Sequence, residues 1–153
     1  MSEFTTYYEF MDKYEEFYKT VKQAEEEKLE AILSNDLSKM ESSLSAYESI
    51  IKQAKQYEEK RMKLCASMGV DGTSFEAVSA HFEGEEKQRL ILQKTRLERL
   101  IETVNYLNKR SMEISDIQLK YSEELASLSA SLISPKGETE PALKGSNLLN
   151  KQV

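Results

Sequence analysis

Few side chains in this 153-residue chain are equipped for chemistry. His81 is the single histidine and Cys65 the single cysteine. A zinc or iron site ordinarily draws on several His or Cys ligands, and these two cannot supply one alone. His81 stands beside Phe82 where a short helix should end, which reads as a surface or helix-end histidine. Cys65 follows Leu64 near an apolar helix face and reads as a small buried or half-buried side chain. No neighbouring motif would activate its thiol. Two acidic runs, Glu25-Glu26-Glu27 and Glu85-Glu86, suggest paired carboxylates. Consecutive helix residues point in different directions, so these do not converge on one substrate atom. A solvated face is the better reading, and Glu85-Glu86 also suit the positive end of a helix. The five glycines match no phosphate-cradling spacing. The expectation is no catalysis, no cofactor and no metal.

What remains is surface and shape. Charged residues make up 31% and apolar ones 39%, with a net charge of −6. That is more charge and less apolar mass than an ordinary globule carries. It suits long helices with narrow buried stripes. No segment has the basic surplus that phosphate neutralisation or an anionic lipid surface needs, so neither nucleic acid nor membrane is an expected partner. No apolar run approaches the ~20 residues of a membrane span. Met1-Ser2-Glu3-Phe4 lacks the regions of a signal peptide. The lone cysteine has no partner for an internal disulfide. These features lead us to expect a cytoplasmic protein.

Backbone breakers divide the chain. Gly and Pro are absent from Met1 to Met68 and again from Glu85 to Ser134. Gly69, Gly72 and Gly84 cluster between these stretches, and Pro135, Gly137, Pro141 and Gly145 fall in the tail. In the first stretch Tyr7, Phe10, Tyr14, Phe17, Val21, Ala24, Lys28 and Ala31 form an apolar stripe on one helix face, broken only at Lys28. Ser34-Asn35-Asp36 interrupts it with three good capping residues. A second stripe follows through Leu37, Met40, Leu44, Tyr47, Ile51, Ala54, Leu64 and Met68, flanked by Ile50, Tyr57 and Met62. Two long helices joined by two or three residues must run antiparallel. Thr73-x-x-Glu76 fits a capping box, and Phe75, Val78 and Phe82 fit one short helix behind it. The fold class is therefore all-α: an antiparallel long helical hairpin, a short connecting helix, and a third long helix in a coiled-coil-like bundle. The expected helices are about 3–34, 36–68, 74–82 and 85–133, in a single domain over 1–133. Residues 134–153 have no aromatic residue and no periodicity, so a disordered tail is expected there.

The last helix carries the strongest heptad signal. Its stripe runs Leu90, Leu97, Leu100, Val104, Leu107, Ser111, Ile114, Gln118, Tyr121, Leu125, Leu128 and Leu132, interrupted at Gln93, Ser111 and Gln118. At 1.5 Å per residue it spans roughly 70 Å, more than the hairpin it follows. Either it bends or its C-terminal end projects. An unpaired leucine stripe would be an aggregation liability unless a partner covers it. Tyr121, Leu125, Leu128 and Leu132 are therefore the candidate partner-binding residues. A generic coiled-coil adaptor or scaffold that acts as a homodimer through this helix is the alternative, and a homo-oligomer is a possible state.

Three stretches give the layout a family likeness. The first is Glu27-Lys28-Leu29-Glu30-Ala31-Ile32-Leu33-Ser34-Asn35-Asp36-Leu37. The second is Glu58-Glu59-Lys60-Arg61 to Leu64 with Met68-Gly69-Val70-Asp71. The third is Asn105-Tyr106-Leu107-Asn108-Lys109-Arg110. In this order they resemble the flagellar export chaperones of the FlgN type, over roughly residues 5–133. The tail after Pro135 carries none of these motifs. The resemblance implies a cytoplasmic chaperone of flagellar type III export. Such a chaperone holds hook–filament junction (hook-associated) proteins before secretion and delivers them to the export gate. In the family the C-terminal part contacts the substrate, which maps onto Tyr121, Leu125, Leu128 and Leu132. The resemblance also offers Tyr121 as an aromatic contact to the export gate. A substrate with unpaired amphipathic ends would lay its apolar face along this helix.

Overall fold

The protein is described here by a computed structural model covering residues 2–133. Several side chains from 117 onward lie outside the described residues, and so does the tail 134–153. The chain folds as four helices, α1 (Glu3–Ser34), α2 (Leu37–Ser67), α3 (Phe75–Ala80) and α4 (Gly84–Ile133). No strand occurs among the described residues, and the class is all-α.

Local sequence explains where each helix starts and stops. The Ser2 side chain accepts the Thr5 N–H at 3.1 Å and caps α1. Asn35 ends α1 in the left-handed region at φ 55, a conformation asparagine tolerates. Asp36 then caps α2, its carboxylate accepting from the Ser38 and Lys39 amides. Gly69 closes α2 at φ +71.

The connector departs from the expected capping box. Thr73 spends both its amide and its hydroxyl on the Asp71 carboxylate, at 2.9 and 2.6 Å. That Asx-type turn leaves Ser74 to cap α3 by accepting from Ala77 N. α3 is accordingly shorter than the 74–82 expected from spacing. Gly72 has a packing reason: a Cβ there would sit 2.8 Å from Met62 Sδ and 3.1 Å from Cys65 Cβ.

α1 lies between α2 and α4 and shares a long seam with each. α2 returns antiparallel to α1, bringing Tyr14 to Glu58. α4 runs parallel to α1. Gln93 meets Tyr8 and Asp12, Arg96 meets Glu15, and Asn108 meets Lys28, so the partners climb together along both helices.

The α1 stripe is buried through Tyr7, Tyr14, Phe17, Val21, Lys28 and Ala31. The α2 stripe is not. Only Met40 and Cys65 are buried on that helix. Leu37 is 64% exposed and Ile51 also faces outward, contrary to the core position expected for both. The packed side runs instead through Ile50, Ala54, Tyr57 and Leu64. A seven-residue line drifts about 20° per heptad around a straight helix. α2 has a long seam with one neighbour only, so nothing covers the side onto which that line drifts.

Candidate partner-binding surface

The four candidate residues lie on α4 at spacings of four, three and four, which place them on one side of a helix that continues to Ile133. Leu128 is 65% exposed. The side chains of Tyr121, Leu125 and Leu132 lie outside the described residues. Lys120, Glu123 and Glu124 beside them are exposed.

The register of α4 on α1 says where support ends. Ser115 lines the same small apolar cleft as Ala31, Ile32, Met40 and Leu44, at the tip of the α1–α2 hairpin. α1 stops at Ser34, whereas α4 runs on to Ile133. The remaining 18 or so residues of α4 amount to about 27 Å of helix.

A second surface was not legible from the heptads. Between α2 and α4, over the face of α1, runs an open groove of about 340 Å³. Its floor is Tyr7, Met11, Tyr14 and Tyr18, and its walls include Arg61 from α2 and Leu97 and Ile101 from α4. The tyrosine hydroxyls make it amphipathic. The Tyr14 hydroxyl donates to Glu58 Oε2 at 3.0 Å. Arg61 forks onto the same Glu58 carboxylate and donates to the Gly72 carbonyl at 2.8 Å, tying α2 to the connector. The Arg61 hydrogen bonds hold the Glu58 carboxyl below the usual carboxylate range. Burial pushes the Tyr7 hydroxyl up to about 12, and burial with the Glu58 carboxylate raises Tyr14 as well. The sequence signal was present in Tyr7, Tyr14 and Tyr18, but helical spacing alone reads such rings as core.

The two residues singled out for chemistry sit in structural settings. Cys65 is fully buried under the connector, where burial raises its thiol. His81 ends α3, with Nε2 3.3 Å from the Glu3 carboxylate. Among the described residues, no group of three His, Cys, Asp or Glu side chains is placed to hold a metal ion. No described helix is long and apolar enough to cross a membrane.

The third setting is a polar layer toward the hairpin end of the bundle. Glu25 and Lys28 of α1 are 0% and 5% exposed. The Lys28 ammonium lies 3.0 Å from Glu25 Oε2, donates to Asn108 Oδ1 of α4 at 2.7 Å, and sits 4.5 Å above the Tyr47 ring of α2. Lys28 and Ser111, the interruptions in two separate stripes, are both buried, Ser111 lying three residues beyond Asn108 on α4.

The surfaces available are thus helix faces and a groove. The chain matches the family described as FlgN protein over residues 1–139. No curated protein and no solved structure matches it. With a match that spans both the bundle and the whole of α4, the chain belongs to the FlgN family, chaperones of flagellar export.

Proposed function

We propose that this protein is a cytoplasmic chaperone that holds hook–filament junction proteins before flagellar type III export, gripping them along the part of α4 beyond the hairpin. The observation that carries this reading is the length of α4: 50 residues against 32 in α1, with Leu128 exposed on the surplus. An apolar residue there invites an amphipathic helix, which would bury its own apolar face against Tyr121, Leu125, Leu128 and Leu132. Burying that face keeps the substrate from assembling early. Tyr121 is the candidate contact to the export gate.

The test is a pull-down from the native cytoplasm. Hook–filament junction proteins should co-purify with the full chain and be lost after truncation behind Ser115. Replacing Leu125 and Leu128 together by Asp should weaken the complex and leave the thermal midpoint of the free protein nearly unchanged. Retained binding by the truncated chain would sink the assignment of the surface. Sedimentation addresses the competing reading: a tight homodimer that dissociates on the same double substitution would make α4 the seam of an adaptor.

A further inference from the structure

Among the described residues six polar or charged side chains are buried, and five of them belong to the two helices that share the longest seam: Glu15, Glu25 and Lys28 on α1, and Gln93 and Ser111 on α4. Their contacts across the seam keep a nearly constant offset. Gln93 reaches Asp12 at a separation of 81 residues, Arg96 reaches Glu15 at 81, and Lys28 reaches Asn108 at 80. Buried polar groups with partners are a costly way to fill a helix seam, because each charge must leave water. Here the filling is also incomplete. The Glu25 carboxylate is met by the Lys28 ammonium and by the Tyr47 hydroxyl of α2, whereas the Ser111 hydroxyl has no hydrogen bond.

Such a layer has a second effect, on uniqueness. The apolar lines on the two helices repeat every seven residues, through Tyr7, Tyr14 and Val21 on α1 and Leu90, Leu97 and Val104 on α4. A slip of one heptad, about 10.5 Å, would return apolar groups to apolar groups along most of the seam. The polar contacts break that degeneracy. Slipped one way, Lys28 would face Ile101 and bury an ammonium without its amide partner. Slipped either way, Gln93 would leave Asp12. A buried polar residue that fixes register at a cost in stability is well attested in helical assemblies.

We propose that the Glu25–Lys28–Asn108 layer, backed by Gln93, is a register lock: it holds α4 at one height on α1 and so fixes how much of α4 extends past the hairpin. These are positioning residues, and the inference stands whatever α4 binds.

The experiment uses the full chain with Glu25→Leu, Lys28→Leu and Asn108→Leu combined. Two quantities are read, the thermal midpoint and the backbone amide correlation spectrum. The lock requires the midpoint to rise by several degrees while the amides of α4 split into more than one set or broaden. A higher midpoint with one sharp set of peaks would show that register is set elsewhere, and would overturn the proposal. A lower midpoint, or failure to fold, would also overturn it, since the layer would then be a stabilising pairing. Asn108→Leu alone supplies the second variant. It leaves the Glu25–Lys28 pair in place and should multiply the α4 peaks; an unchanged single set would count against the lock.

Discussion

The two seams of α1 are made of different material. Toward α2 the contact is ring on ring. Tyr57 receives Phe17 at 4.8 Å, Tyr14 at 5.1 Å and Phe10 at 6.1 Å between centroids. Polar contacts flank the rings, with Tyr14 bonded to Glu58 and the Lys28 ammonium over the Tyr47 ring. Toward α4 the contact alternates apolar residues such as Leu90 and Val104 with Gln93, Arg96 and Asn108, each bonded to a particular α1 partner. Stacked rings are worth area plus roughly 0.5–1.5 kcal/mol per pair. Directed hydrogen bonds add little net stability but penalise every wrong pairing. The two-residue turn Asn35-Asp36 already sets the α1–α2 register. α4 arrives through a connector with no such tight turn, and its seam carries the specifying contacts.

Substitutions can break this contrast. Lys28→Ala should have the largest effect, a loss of about 3–5 kcal/mol, because it strands the fully buried Glu25 carboxylate. Urea unfolding checks it, and a loss under about 1 kcal/mol would mean that water reaches the layer. Gly72→Ala should cost about 1–3 kcal/mol through overpacking against Met62 and Cys65, with no change in the α1–α4 seam. Alkaline pH should loosen the aromatic side. Tyr7 titrates near 12 when folded against 10.0 for a free tyrosine, so the unfolded chain releases its proton first. Stability is then intact below pH 10 and declines between 10 and 12. A helix signal that stays unchanged past pH 12 would contradict this. Leu37→Ser and Ile51→Ser should shift stability by no more than about 0.5 kcal/mol each, since both side chains already face outward. A loss of 2 kcal/mol at either would place it in a contact.

Much of the fold was legible because its signals are local. The absence of Gly and Pro from 1–68 and 85–133, the capping residue Asp36 and the stripe on α1 each act within a few residues. The α2 face was misread because burial depends on how many neighbours a helix has, and a stripe cannot report that. Leu37 and Ile51 fit the heptad yet stay exposed. Lys28 and Ser111 looked like flaws in two separate stripes. That they lie within about a turn of one another depends on α4 running parallel to α1, a fact of topology 80 residues apart. The candidate surface on α4 was read from surplus length, which propensity and rise per residue give directly. The tyrosine groove required knowing that α2 and α4 stand apart.

The central place of α1 also sets an order of events. Its first partner follows immediately in the chain, while its second begins at Gly84 and is complete only at Ile133. During synthesis the hairpin can close as soon as α2 has emerged, with the side of α1 that meets α4 still bare. α4 must then search for its place against a preformed edge, with contacts separated by some 80 residues. Non-local pairing of this kind is slow and leaves sticky surface exposed meanwhile. A newborn molecule of this protein therefore passes through a stage in which it presents the same hazard as the unpaired helices it is proposed to guard.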